Sequence, residues 1–371
     1  MQFIDLHAQY DRLRPDIARR IDAVLEHGQY ILGPEVAEFE AALADYCGTR
    51  HAVSCANGTD ALVLALRALG IGPGDTVVTS AFSFFASAEA ICLVGARPQF
   101  VDIEAATFNM DPQALERLLD GGGDRPKAVI PVDLFGLPAD YRRIESLCEQ
   151  RGVPIIEDAA QGFGGAIGPR RAGSFGTVGS LSFFPAKPLG CYGDGGALLT
   201  DDDALADRLR SLRFHGRGAD KYDNVAIGLN SRLDTIQAAI LLAKLSLFEE
   251  ELEARQSVAG RYEQALAGAV ATPRAPDGMS SSWAQYTILA RDPAQRDMLR
   301  ARLGEQGVPS MIYYGRPLHL QPALADLGYR PGDFPVAEDV CGRVLSLPMS
   351  PYLAEGDQAR VIEALLGALG A

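Results

Sequence analysis

Only four lysines stand among the 34 basic side chains of this 371-residue sequence: Lys127, Lys187, Lys221 and Lys244. Lys187 lies in Ser182-Phe183-Phe184-Pro185-Ala186-Lys187-Pro188-Leu189-Gly190, where no neighbour is charged. An amine in apolar surroundings can lose its proton and attack a carbonyl, whereas a guanidinium stays protonated. A lysine near a strand end is ordinarily a solvated charge, but the aromatic and glycine flanks favour the reactive amine. Upstream, Asp158 closes the run Val153-Pro154-Ile155-Ile156-Glu157 and leads into Ala159-Ala160-Gln161. Alone, such a carboxylate caps a helix. Paired with a downstream lysine in an apolar setting, it suggests a site for pyridoxal phosphate, because a buried carboxylate holds a pyridine nitrogen protonated.

A phosphate needs backbone donors and hydroxyls at a helix start. Asn57-Gly58-Thr59-Asp60, ahead of Ala61-Leu62-Val63-Leu64-Ala65-Leu66, offers that geometry, and it also reads as a plain N-cap. Ser182, five residues before Lys187, adds a hydroxyl. Phe84 follows the β-rich run Val77-Val78-Thr79 and can stack on a flat cofactor or simply fill the core. Competing motifs fail. Gly162-Phe163-Gly164-Gly165-Ala166-Ile167-Gly168 has Ile167 where a dinucleotide loop needs its third glycine. The sequence has no G-K-[ST] loop, H-E-x-x-H or G-x-S-x-G.

These groups need elements to hold them. From Tyr10 to about Leu245, helical patterns alternate with short β-rich runs, the mark of a mostly parallel sheet covered by helices. Strands are expected at 76–79, 98–102, 128–132, 153–157 and 179–184, with helices at 60–69 and 140–150 between them. Loops at the carboxyl ends of such strands build the site. One long helical pattern, 233–267, connects to a smaller C-terminal part. That part reads as strand 284–290, helix 294–303, strand 308–313 and a last helix from Glu355. Gly121-Gly122-Gly123-Asp124 reads as a surface turn. The expected division is 1–247 for the large domain and 248–371 for the small one.

Composition narrows the function. Apolar content of 47% with 22% charge is that of a folded globular chain. A net charge of −14 repels nucleic acid and acidic membrane surfaces. No apolar stretch reaches the ~20 residues of a spanning helix, and the start lacks a signal pattern; a cytoplasmic location is expected. The six cysteines form no C-x-x-C pair and have no histidine cluster beside them, so no metal site or disulfide frame is expected.

Four segments together carry a family resemblance: Ser54-Cys55-Ala56-Asn57-Gly58-Thr59-Asp60-Ala61-Leu62, Ile156-Glu157-Asp158-Ala159-Ala160-Gln161, Ser182-Phe183-Phe184-Pro185-Ala186-Lys187 and Leu229-Asn230-Ser231-Arg232. They resemble the DegT/DnrJ/EryC1/StrS family of nucleotide-sugar aminotransferases, and the resemblance runs from Phe3 almost to the C-terminus. It implies an α/β fold of type I (aspartate aminotransferase-like), with a mostly parallel seven-stranded sheet and a smaller C-terminal α+β domain. It further implies pyridoxal 5'-phosphate joined to Lys187 as an imine, with Asp158 on the pyridine nitrogen and Gln161 near the phenolic oxygen. Gly58, Thr59 and Ser182 would hold the phosphate, and Phe84 would cover the ring. Family members are homodimers with shared sites, which makes Asn230 a phosphate ligand and Arg232 a substrate contact from the neighbouring chain. His215, Tyr313, Tyr314 and His319 fall where the family lines its sugar pocket.

The implied reaction moves the amino group of L-glutamate, leaving 2-oxoglutarate, onto a nucleotide-linked keto-sugar. A related dehydratase branch has histidine in place of the lysine, so Lys187 favours amino transfer. Segments 27–36 and 187–197 look most like the branch that aminates UDP-2-acetamido-2-deoxy-3-oxo-glucuronate for surface polysaccharide such as O-antigen. A 4-keto-6-deoxy sugar or an 8-oxo-octulosonate remains the alternative.

Overall fold

A computed structural model describes residues 1–122, 125–220 and 222–370. The turn expected at Gly121 to Asp124 lies outside them at Gly123 and Asp124, as does Lys221. The α-helices run in order α1 Leu6–His27, α2 Pro34–Cys47, α3 Gly58–Ala68, α4 Ala86–Leu93, α5 Pro112–Asp120, α6 Tyr141–Glu149, α7 Asp203–Leu212, α8 Thr235–Leu245, α9 Phe248–Leu266, α10 Pro293–Glu305, α11 Pro335–Arg343 and α12 Glu355–Leu369. Among the described residues, none of these is long and apolar enough to cross a membrane.

The central strands are β1 His51–Cys55, β2 Thr76–Ser80, β3 Arg97–Val101, β4 Ala128–Ile130, β5 Ile156–Asp158, β6 Val178–Ser182 and β7 Gly196–Thr200. They lie in the order β1-β7-β6-β5-β4-β2-β3, with bridges Val129–Ile155 and Val132–Asp158 joining β4 to β5. β7 alone runs against its neighbours β1 and β6; the remaining pairs are parallel. This is the expected seven-stranded, mostly parallel sheet.

Each face of the sheet is apolar because helices cover both. Val53, Val77, Ile130, Ile156, Val178 and Leu198 pack under α3, α4 and α7. On the other face, Ala52, Leu181, Ala197 and Leu199 meet α2 and α8, while Val78, Val101, Val129 and Ile155 meet α5 and α6. Each large apolar side chain buried this way contributes about 1.5–3 kcal/mol. Cys92 is exposed and the other five free cysteines are buried.

The helical pattern expected over 233–267 is two helices, broken at Ser246-Leu247. α8 is buried over most of its length, whereas α9 starts with Glu249, Glu250 and Glu251, acids that favour a helix N-terminus. Beyond α9, β8 (Tyr286–Leu289) pairs antiparallel with β9 (Val344–Leu347) and packs with α10 and α12. The strand expected at 308–313 is reduced to a single bridge, Met311–Ser346, because Pro309 supplies no backbone donor. Residues 318–344 share a core with Phe82, Phe100, Phe108 and Phe135 of the large sheet layer.

Candidate active site

β1, β2, β4, β5 and β6 all end on one side of the sheet, and a cavity of about 460 Å³ opens there. α3 delivers Gly58 and Thr59 to it. Asn57 starts this helix, its Oδ1 accepting from the Asp60 amide at 2.8 Å. The Gly58 and Thr59 amides are therefore among the helix-start donors without an intrahelical partner. Gly58 is required by crowding: a Cβ there would lie 2.7 Å from the Ser182 Cβ. Helix start and Ser182 hydroxyl thus meet in one small anion cradle, in a chain that is otherwise acidic.

Across the cavity Asp158, the last residue of β5, is 5% exposed. Its Oδ2 accepts from the Ser87 hydroxyl at 2.7 Å and its Oδ1 from the Ala160 amide at 3.3 Å. Burial raises its pKa above the usual carboxylate range, while the Ser87 bond, the Ala160 amide and the charge of Lys187 oppose that rise. Behind it, burial pushes up both Asp133 and Glu157, the charge of Asp158 adding to the rise of Asp133 and the charge of Asp133 to that of Glu157. That rise favours their protonated forms, which lowers the negative charge that Asp158 faces.

Lys187 sits in the β6–β7 connection and lines the same cavity. Its surface is half-buried because the cavity beside it is open. The surrounding protein nevertheless lowers the amine to about 8, the charge of Asp158 pulling the other way. A substantial neutral fraction at neutral to mildly alkaline pH makes it a nucleophile. Gln161 is buried and fixed at both ends: Oε1 accepts from the Phe135 amide at 2.9 Å and Nε2 donates to the Tyr314 hydroxyl at 3.2 Å. Phe84, 53% exposed, stands at the mouth 5.9 Å from the Tyr314 ring, with Tyr313 beside it.

The structure therefore brings Gly58, Thr59, Phe84, Asp158, Gln161, Ser182, Lys187, Tyr313 and Tyr314 together. It also adds lining residues that sequence reasoning missed: Asn57, Ser87, Asp194 and Gln285. Asn57 lay inside a quoted motif as a cap. Ser87 carries no sequence signal, because its partner Asp158 is 71 residues away.

Asn230, Arg232 and His215 do not reach this cavity within the chain. Asn230 is exposed and bonded to Arg232, whose guanidinium lies 4.7 Å from the Phe214 ring centre. His215 lines a separate hollow with Phe214 and Arg217. His319 is a correction: its buried ring turns away from the cavity, bonds Glu338 at 3.1 Å and packs on Phe334. It sits in a short turn of helix, and its pocket among Tyr329 and Phe334 is a packing site. A larger hollow, about 630 Å³, lies around Arg50 and Asp201 to Asp203. Its charges satisfy one another, Arg50 and His51 pairing with Asp203. Among the described residues, no group of three or more His, Cys, Asp or Glu could hold a metal ion.

The sequence pattern of the DegT/DnrJ/EryC1/StrS aminotransferase family matches residues 11–366, and the chain belongs to that family. It is similar to UDP-2-acetamido-2-deoxy-3-oxo-D-glucuronate aminotransferase of Pseudomonas aeruginosa, 47% identical over 354 residues that cover 95% of this chain and 96% of the relative. Among solved structures it is similar to a DegT DnrJ EryC1 StrS aminotransferase from Brucella abortus, at 52% identity and TM-score 0.96 over 100% of both chains. It also matches NtdA from Bacillus subtilis with bound cofactor PMP, at 30% identity and TM-score 0.92 over 100% of this chain and 85% of that one.

Proposed function

We propose that this aminotransferase uses pyridoxal 5'-phosphate to move the amino group of L-glutamate onto the 3-keto group of UDP-2-acetamido-2-deoxy-3-oxo-glucuronate, in the cytoplasm and for surface polysaccharide such as O-antigen. The 47% identity to the Pseudomonas aeruginosa enzyme supports that sugar. The observation that carries the chemistry is a neutralisable amine, Lys187, sharing a cavity with a buried carboxylate, Asp158, beside a helix-start anion cradle.

The residues fit the cofactor. Backbone amides of Gly58 and Thr59 and the Ser182 hydroxyl take the phosphate, and the close approach that requires Gly58 would be lost with any side chain there. Asp158 offers an anionic oxygen for a protonated ring nitrogen, and Ser87 keeps that oxygen oriented. Gln161, locked by Phe135, would present its amide to the cofactor, and Phe84 at the mouth would shield it from water. When bound, the cofactor supplies an aldehyde that amines exchange on and a ring that withdraws electrons from the donor's α-carbon. Lys187 stands in the same cavity, where its neutral Nζ would take the donor's α-proton. Tyr313 and Tyr314 line the side where a sugar ring would lie.

Among the described residues, no arginine lines this chain's own cavity. A homodimer supplies it: a second copy brings Asn230 to the phosphate and Arg232 to the uronate carboxylate, with His215 nearby. The exposed Val225 and Ile227 on the same segment, 66% and 86% exposed, support burial against another copy.

The test is a half reaction. Holoprotein mixed with L-glutamate alone releases one equivalent of 2-oxoglutarate per site with a change in the bound cofactor's absorbance. Reverse runs with UDP-, GDP- and dTDP-linked amino sugars then rank the acceptors. A protein silent to glutamate until the sugar is added would be a dehydratase, and the reading would fall.

A further inference from the structure

A second buried lysine stands behind the first. Lys244, in α8, is 1% exposed, yet Glu251 and Cys191 act on it only through their fields. Its Nζ donates to the Gly190 carbonyl at 2.5 Å and lies 4.1 Å from the Tyr192 ring centre. Burying an amine this deeply is costly unless it is partnered, and here its one hydrogen bond and its ring contact both fall on the segment that carries Lys187.

That segment is a closed loop. The Cys191 amide donates to the Phe183 carbonyl at 2.8 Å, so the chain leaves and returns at one point, with Lys187 between. The Lys187 amide donates to the Phe184 carbonyl at 2.8 Å. At the neck, a Cβ on Gly190 would lie 2.6 Å from the carbonyl oxygens of both Phe184 and Pro185, so the two limbs are pressed together. The returning limb has a second hold from α8. Gln237 accepts from the Tyr192 amide at 2.8 Å and donates to its carbonyl at 3.4 Å. With Lys244 holding Gly190, two residues further back along the limb, the three consecutive residues Gly190 to Tyr192 are tied to α8 or to Phe183, which directly follows β6.

We propose that Lys244 is a positioning residue: together with Gln237 it anchors the 184–192 loop to α8 and so sets where the Lys187 amine stands in the cavity. This rests on the role given to Lys187 above. The loop has no regular secondary structure, so without the anchor its tip samples several positions and the amine spends less time in reach of the donor's α-carbon.

The test compares wild type with Lys244→Met, which keeps the stem and removes the donor. Amide exchange is measured on cofactor-free protein, and steady-state rates on holoprotein. Exchange over 184–192 accelerates roughly tenfold while α10 and α12 are unchanged. Correspondingly, kcat falls roughly tenfold with KM for L-glutamate held within about twofold. Exchange that rises everywhere, or does not rise in this segment, overturns the proposal. Should Lys244→Met not fold, Gln237→Ala decides by the same criteria: faster exchange confined to the loop supports the anchor, and none refutes it. Borohydride reduction of wild-type holoprotein checks the underlying reading separately. Cofactor fixed at another residue removes the role of Lys187 and this proposal with it. Cofactor at Lys187 with a negative exchange result removes only the anchor.

Discussion

At the floor of the cavity polar side chains are fixed by partners inside the chain: Asp158 by Ser87, Gln161 by Phe135 and Tyr314, and Asn57 by the helix it starts. In the segment proposed to form the rim of a second copy's cavity, Asn230 and Arg232 bond each other and Arg232 lies on Phe214, while the adjoining residues Val225 and Ile227 are exposed. The floor is organised before anything binds; the rim has cationic and amide groups of suitable type but no target within the same chain. The difference separates two jobs. In the proposed function, the floor residues would set the electronics of the cofactor and could not wait for a partner, because misorientation there costs rate directly. In the proposed homodimer, the rim residues would select an anionic substrate and would come from a second copy, whose docking would complete the pocket.

The sharpest break in this comparison is at the floor. Lys187→Ala removes the only amine lining the cavity among the described residues and lowers amino transfer by about 10⁴-fold or more, with both half reactions lost. Stopped-flow with L-glutamate checks it, and near-normal turnover would end the assignment. Asp158→Asn keeps the shape and the Ser87 contact but removes the charge, so a drop of roughly 10²–10³-fold is expected in both half reactions. A loss confined to the sugar half reaction would place Asp158 in substrate binding instead.

The rim gives a smaller loss and a distinctive rescue. Arg232→Ala costs roughly 10²-fold in kcat/KM for a uronate acceptor by removing a charge-assisted pair. The glutamate half reaction, which does not use that carboxylate, stays near wild type. If the rim acts on the neighbour's floor, mixing Arg232→Ala with Lys187→Ala chains restores one good site in each mixed dimer. Random exchange then recovers about a quarter of wild-type activity. Two variants that remain inactive after proven subunit exchange would place Arg232 in its own chain's site.

The same division explains what the sequence made legible. Floor residues sit at strand ends and helix starts, where local chemistry announces itself: Asp158 closes an apolar run, Asn57 is a cap and Lys187 lacks charged neighbours. Ser87 and Gln285 reach the cavity only through tertiary folding, and nothing local distinguishes them. The family resemblance supplied Asn230, Arg232 and His215; spacing alone had no hold on them, since within the chain they lie outside the cavity. Strands β1 and β7 went unread because His51-Ala52-Val53-Ser54-Cys55 and Gly196-Ala197-Leu198-Leu199-Thr200 are short, small-residue runs without alternation, as buried strands often are. The break between α8 and α9 was readable in the three glutamates at 249–251, but continuous Ala and Leu content obscured it. His319 failed for a general reason: a histidine beside pocket-lining tyrosines is as easily a core residue, and Phe334 and Glu338 made it one.

The smallest effect expected concerns the amine itself. Burial lowers Lys187 to about 8 from the model-compound value of 10.5, so its neutral, reactive form becomes the majority only above that pH. In cofactor-free protein, the rate at which a simple aromatic aldehyde labels the Lys187 peptide should rise about tenfold between pH 7 and 9 and level off. An ordinary lysine would gain nearly a further tenfold and continue rising towards pH 10.5. Asp158→Asn removes the anion that opposes this depression, so the midpoint should move lower, not higher. A midpoint that moved upward would mean the carboxylate and amine do not sense each other, and the floor would lose the pairing on which its difference from the rim depends.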